Sequence, residues 1–127
     1  MAKRKKKPPL NVIGAAAAGL GAPGLILTVA ISVAITGGLS GAAAITAALA
    51  AIGMGGGMIG GVAVLVVAGL LATGITIYGS EAVIKAVIKE LKKRGRKKDE
   101  LLRQVESYWV SRGLKLKVKE YVEELWV

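Results

Sequence analysis

Residues 62–78 read VAVLVVAGLLATGITIY, seventeen positions with no charged side chain. Together with Met58–Gly61 this run approaches the roughly 20 apolar residues that a helix needs to cross a bilayer core. Tyr78 stands at its end, where an interfacial aromatic anchor is expected. The run belongs to a longer block. From Pro8 to Ser80 the chain holds no Asp, Glu, Lys or Arg. A water-soluble domain cannot hide so long an uncharged stretch without exposing apolar surface, even in an oligomeric core. The block therefore reads as membrane-embedded.

Upstream, residues 10–38 form the other clear apolar segment. Leu25–Thr36 (LILTVAISVAIT) is its most hydrophobic part and alone is too short to span. A first span must therefore draw on Gly14–Gly24 or run past Gly37-Gly38, with Pro23 tolerated as a kink. Between the two segments, Gly41–Ile52 (GAAAITAALAAI) is a strong helix former of mild hydrophobicity. Gly53–Gly61 (GMGGGMIGG) is nearly all glycine and methionine. It reads as a loop in water and as a tightly packed helix or turn in lipid.

The two ends of the block are basic. Lys3, Arg4, Lys5, Lys6 and Lys7 precede it, ahead of Pro8-Pro9. The other thirteen of the 18 positive residues lie between Lys85 and Lys119. Lys and Arg beside a span favour the cytoplasmic side. Two spans, around 14–38 and 58–78, place both basic flanks on one side, whether cytoplasm or particle interior; three spans would separate them. A secretory signal peptide also has a basic start and an apolar core, but the double proline and the unbroken hydrophobicity oppose that reading.

The tail after the block is amphipathic. Val83, Ile84, Val87, Ile88 and Leu91 share one helical face, while Lys85, Lys89, Lys92 and Lys93 fall on the other. Ser80 is a candidate N-cap. A second helix is expected from 99 to 112, with Asp99 as cap, Leu101, Leu102, Val105, Tyr108 and Trp109 on one face and Gly113 as its stop. From Leu114 the residues alternate like a strand, but Val118, Tyr121, Val122, Leu125 and Trp126 fit a helix, which is preferred. The expected fold is thus all-α. A transmembrane helical hairpin of two small-residue-packed spans is followed by an amphipathic helix and a short C-terminal helical hairpin. The units are a basic arm (1–9), a transmembrane region (10–79) and a basic helical region (80–127).

The chain of 127 residues has 18 Gly, no Phe, no Cys and no His. Thiolate metal sites, disulfides and the commonest general base and metal ligand are absent. No enzyme, cofactor, metal or small-molecule substrate is expected. The small residues point to close helix contacts instead. Gly53, Gly57 and Gly61 form a tandem G-x-x-x-G, Gly56 and Gly60 a parallel pair, and Ala30, Ala34 and Gly38 a third stripe, with Ala43, Ala47 and Ala51 a fourth. Such stripes close the protein's own hairpin and also favour a homo-oligomer. Thr28, Ser32 and Thr36 offer hydroxyls to a neighbouring helix or back to their own backbone. Gly55, Gly57 and Gly60 match G-x-G-x-x-G, but the strand and acidic residue that give that motif meaning are missing.

The binding signal is the basic run Lys92, Lys93, Arg94, Arg96, Lys97 and Lys98, with the arm Lys3–Lys7 beside it. A cluster of this size next to a span suits anionic lipid headgroups, and equally the phosphates of nucleic acid; its plain alternative is a topological signal. Three functions fit. One is a self-assembling structural membrane protein, such as the coat of a membrane-containing virus particle. Another is a holin-like or bacteriocin-like pore former. The third is a membrane-anchor subunit of a larger complex.

Overall fold

The structure, a computed structural model, describes residues 8–51, 61–108 and 110–126. Among these there are seven helices and no strand. They are α1 (Leu10–Ala18), α2 (Ala22–Thr36), α3 (Gly41–Ala51), α4 (Gly61–Tyr78), α5 (Ser80–Lys93), α6 (Lys98–Glu106) and α7 (Arg112–Leu125). The all-α reading holds.

The first apolar segment is two helices rather than one. Gly21 adopts φ 76, a left-handed conformation that glycine reaches without steric cost. It breaks the chain between α1 and α2. Pro23 then lies in the first turn of α2, where a missing N–H costs no helical hydrogen bond. The proline starts a helix here instead of kinking a span. At 15 residues, α2 is about 22 Å long, well short of a bilayer core of roughly 30 Å. Among the described residues α4 alone, with 18, is long and apolar enough to cross a membrane. The segment expected to span at 14–38 is therefore folded into a helix–turn–helix.

Hydroxyls in α2 and α4 serve their own helices, those of Thr28 and Ser32 buried and that of Thr76 exposed. Thr28 donates to the Gly24 carbonyl at 2.7 Å, Ser32 to that of Thr28 at 2.9 Å, and Thr76 to that of Ala72 at 2.9 Å. These back-bonds satisfy polar atoms that would be costly in an apolar core.

The interior is organised around α5. Its apolar face, Val83, Ile84, Val87, Ile88 and Leu91, is fully buried. Each such side chain contributes about 1.5–3 kcal/mol relative to leaving it in water. The helix packs most extensively along α1, and also against α2, α4 and α7. Gly14 lies on Ala86, so near that a Cβ there would sit 2.7 Å from the Ala86 carbonyl oxygen. Further along, Arg94 reaches the Ala15 carbonyl, and the Arg96 guanidinium lies beside Gly21. Residue numbers rise together, so α1 and α5 run in the same direction. Tyr78 donates to the Pro8 carbonyl at 2.8 Å, and Gly74 packs on Ile13. Over that turn α4 therefore opposes α1, and Gly79 (φ 93) reverses the chain into α5.

The C-terminal helical hairpin is present with different limits. The second tail helix ends at Glu106, not near residue 112, and Gly113 lies inside α7. The stop comes from Ser107 and Tyr108, each with a backbone N–H turned back three residues. Ser111 then caps α7 by accepting from the Leu114 N–H at 3.2 Å. At α5 and α6 the caps are Gly79 and Lys97, one or two residues before Ser80 and Asp99. Val118 and Val122 are buried, which places the contested stretch after Leu114 in a helix with its apolar stripe on the core.

Candidate lipid-facing surface and basic cleft

Helix α4 is apolar all round, and neighbours cover only part of it. Val64, Val67, Ala68, Leu71 and Ile75 are buried against α1, α2, α3 and α5. On the other side Val62 is 76 % exposed, Leu65 53 % and Val66 57 %, with Ile77 and Tyr78 also exposed. Monomers in water seldom leave large apolar side chains clustered and uncovered in this way. In lipid the same side chains need no cover. Tyr78 has its ring at the helix end and its hydroxyl tied to Pro8, as an interfacial aromatic would. That bond also brings the base of the N-terminal arm to the end of α4 from which α5 departs.

The small-residue contacts fall elsewhere than expected. Gly53, Gly56, Gly57 and Gly60 lie outside the described residues. Gly61 opens α4 with φ 50 and open space where a Cβ would be. Ala30 is buried and Ala34 half-buried; Gly38 lies beyond the end of α2 with φ 103 and nothing near it. On α3 the buried stripe is Ala44 and Ala48, offset by one position from Ala43 and Ala47. The closest approaches are made by Gly14, Gly24 and Gly74. A Cβ on Gly24 would lie 1.8 Å from the Ala17 carbonyl oxygen, so α1 and α2 touch backbone to backbone there.

Most cations of the basic tail already have partners within the chain. Lys85 bridges Glu81 at 3.0 Å and Glu124 at 2.8 Å. These carboxylates hold its ammonium well above the usual lysine pKa. Lys92 donates to the Leu125 carbonyl at 2.7 Å and lies over the Trp126 ring. Lys93 pairs with Glu90, Lys98 with Glu123 and Lys119 with Glu106. The last pair lowers the Glu106 carboxyl below its ordinary value. Half of the run 92–98 thus staples α5 and α6 to their surroundings: Lys92 and Lys98 to α7, Lys93 to its own helix.

The remainder gathers around a cleft. Arg94, Arg96, Lys97 and Arg103 line a hollow of about 840 Å³ whose wall is the α1–α2 turn, Ala18, Gly19 and Gly21. Asp99 and Glu100 also line it. Arg96 is held loosely by Glu100 at 3.6 Å, and Arg94 makes one long bond to Ala15 at 3.4 Å. Neither Lys97 nor Arg103 makes an ion pair or side-chain hydrogen bond within the described residues. The lining offers guanidinium and ammonium donors, which suits holding an anion. Lys3, Arg4, Lys5, Lys6 and Lys7 lie outside the described residues.

Arg103 was not anticipated from the basic run. The signal was available: it lies seven residues after Arg96, inside the next helix, α6. Comparison with protein-family models, curated proteins and solved structures finds no match.

Proposed function

We propose that this chain is a non-enzymatic integral membrane protein with a structural, coat-like role, as in a membrane-containing virus particle. Helix α4 meets the hydrocarbon, copies associate through the Gly/Ala-rich apolar helices, and the basic helical region and arm lie on one anionic surface. Both basic flanks share that side, in keeping with the Tyr78–Pro8 contact. The two-span hairpin belongs to this proposal as the arrangement in lipid, with α1–α3 contributing the second crossing.

One observation carries the reading: the exposed residues Val62, Leu65 and Val66 on the one helix of spanning length among the described residues. A pore former acting through its amphipathic helix would need the apolar face of α5 at the membrane. That face is enclosed by α1, α2, α4 and α7, which favours the structural role. An anchor subunit of a larger complex is the second reading, supported by the folded α5–α7 layer as a docking module.

The test is reconstitution into vesicles. Full-length protein should float with them, resist alkaline extraction and form ordered assemblies without releasing trapped dye. Leu65→Arg should weaken extraction resistance, because a guanidinium inside the hydrocarbon costs about 2.5–3.5 kcal/mol at a span's centre and less toward its ends. Dye release without ordered assembly would sink the structural role. Wild-type protein that stays in the aqueous fraction would sink the membrane reading altogether.

A further inference from the structure

The cations of the tail are unequally engaged, and three of those without a carboxylate partner among the described residues line one hollow. Lys85, Lys93, Lys98 and Lys119 each face a carboxylate of the chain. In the cleft between the α1–α2 turn and the α5–α6 junction, four cations face two carboxylates. Glu100 engages Arg96, while Arg94, Lys97 and Arg103 have no carboxylate within ion-pair distance among the described residues. Like charges held together repel unless an anion joins them. Arg94, Arg96 and Lys97 come from the turn between α5 and α6, and folding adds Arg103 of α6 and the α1–α2 turn, so the site is more than the basic run alone.

We propose that this cleft is a discrete site for the phosphate of an anionic phospholipid headgroup. Arginine forks match phosphate oxygens two at a time, which gives geometry as well as charge. Arg94 and Arg103 supply the forks, and Lys97 supplies a point charge. Asp99 and Glu100 add acceptors for headgroup hydroxyls. Gly19 and Gly21 leave their part of the wall without side chains, so a headgroup approaches the backbone directly. A Cβ on Gly21 would sit 3.1 Å from the Arg96 guanidinium.

Lipid is favoured over nucleic acid on two grounds. The hollow is a single concave site, whereas a nucleic-acid strand needs a track of cations at repeated spacing. Among the described residues no aromatic side chain lines it to stack a base. Its wall is the turn of the apolar region, so acyl chains leaving the headgroup meet α1 and α2. The lipid source rests on the membrane reading above; the phosphate chemistry does not.

Full-length protein in a neutral detergent is titrated with a short-chain phosphatidylglycerol, the matching phosphatidylcholine, inorganic phosphate and a single-stranded oligonucleotide, with bound species counted by native mass spectrometry. One phosphatidylglycerol per chain should bind saturably and at least tenfold tighter than phosphatidylcholine. Arg94→Gln with Arg103→Gln should weaken it about tenfold. Lys89→Gln with Lys117→Gln removes the same charge outside the cleft and should change it less than twofold. Helical content and melting temperature confirm that both variants fold.

Equal losses in the two variants would overturn the site in favour of diffuse attraction. Inorganic phosphate binding as tightly as the lipid would make the free ion the ligand. An oligonucleotide that binds through the same arginines and displaces the lipid would assign the cleft to nucleic acid. Flotation of the wild type with phosphatidylcholine vesicles is read separately. If it floats but shows no headgroup preference, only the cleft assignment fails; if it does not float, the membrane reading fails first.

Discussion

Replacing Gly14 with alanine puts a methyl group where α1 and α5 meet backbone to backbone. The new carbon would lie 2.7 Å from the Ala86 carbonyl oxygen and 2.8 Å from its carbon, while ordinary contact begins at 3.4 Å. The helices must part by the difference, about 0.7 Å. A gap of that size forfeits roughly a quarter to a half of each dispersion contact across it. The contacts at risk are those of Ile13 and Ala17 with the apolar face of α5, all fully buried. Overpacking of this kind costs about 1–3 kcal/mol. The obstacle is a carbonyl that cannot rotate away, so the upper part of that range applies. Alanine returns up to about 1 kcal/mol of helix propensity, leaving a net loss of about 1–2 kcal/mol. Gly69→Ala is the control, because nothing lies within 4 Å of its Cβ position in α4. It should gain about 0.5–1 kcal/mol. Thermal unfolding in mild detergent, followed by circular dichroism, should separate the two variants by roughly 10 °C. A Gly14→Ala protein that melts with or above the wild type would refute the close α1–α5 contact.

Gly74→Ala meets only the tip of Ile13, at 2.6 Å from Cδ1, and that methyl can swing aside, so its melting temperature should fall less than that of Gly14→Ala. Ser111→Ala removes the cap on α7 and should cost about 1 kcal/mol in the same melt. Leu91→Ala empties a fully buried position and should cost about 2–5 kcal/mol by chemical denaturation. The Glu106 carboxyl is lowered from 4.5, first by its hydrogen bond to Lys119. Its contribution is therefore present above pH 4.5 and is lost as pH falls through the lowered value. Melts across the acid range should show this loss, and Glu106→Gln should flatten it; an unchanged acid limb would remove Glu106 from the account.

Several features were legible in the sequence alone because they depend on local pattern. The five apolar residues of α5 repeat at helical spacing, and all five are buried. The uncharged run ending at Tyr78 is one helix, α4, because nothing in it interrupts the backbone ladder. The alternation after Leu114 yielded to helix because Val118 and Val122 reach the core together only at helical spacing.

Other features were decided by tertiary structure. Whether Pro23 kinks a span or starts a helix depends on the left-handed turn at Gly21, which brings α2 onto α1 through Gly24 and Ala17. Small-residue spacing marks where helices are able to touch. Where they do touch is set by how they cross, so the close contacts fell at Gly14, Gly24 and Gly74 and not at Ala34 or Gly38. The basic run from Lys92 to Lys98 looks uniform as a string. Folding divides it, because the carboxylates and carbonyls that engage Lys92 and Lys98 lie on α7, some 25 to 33 residues away. Composition and period set the helices and the uncharged block. Only packing determined which glycines carry the contacts and which cations pair within the chain, since both depend on neighbours distant in the chain.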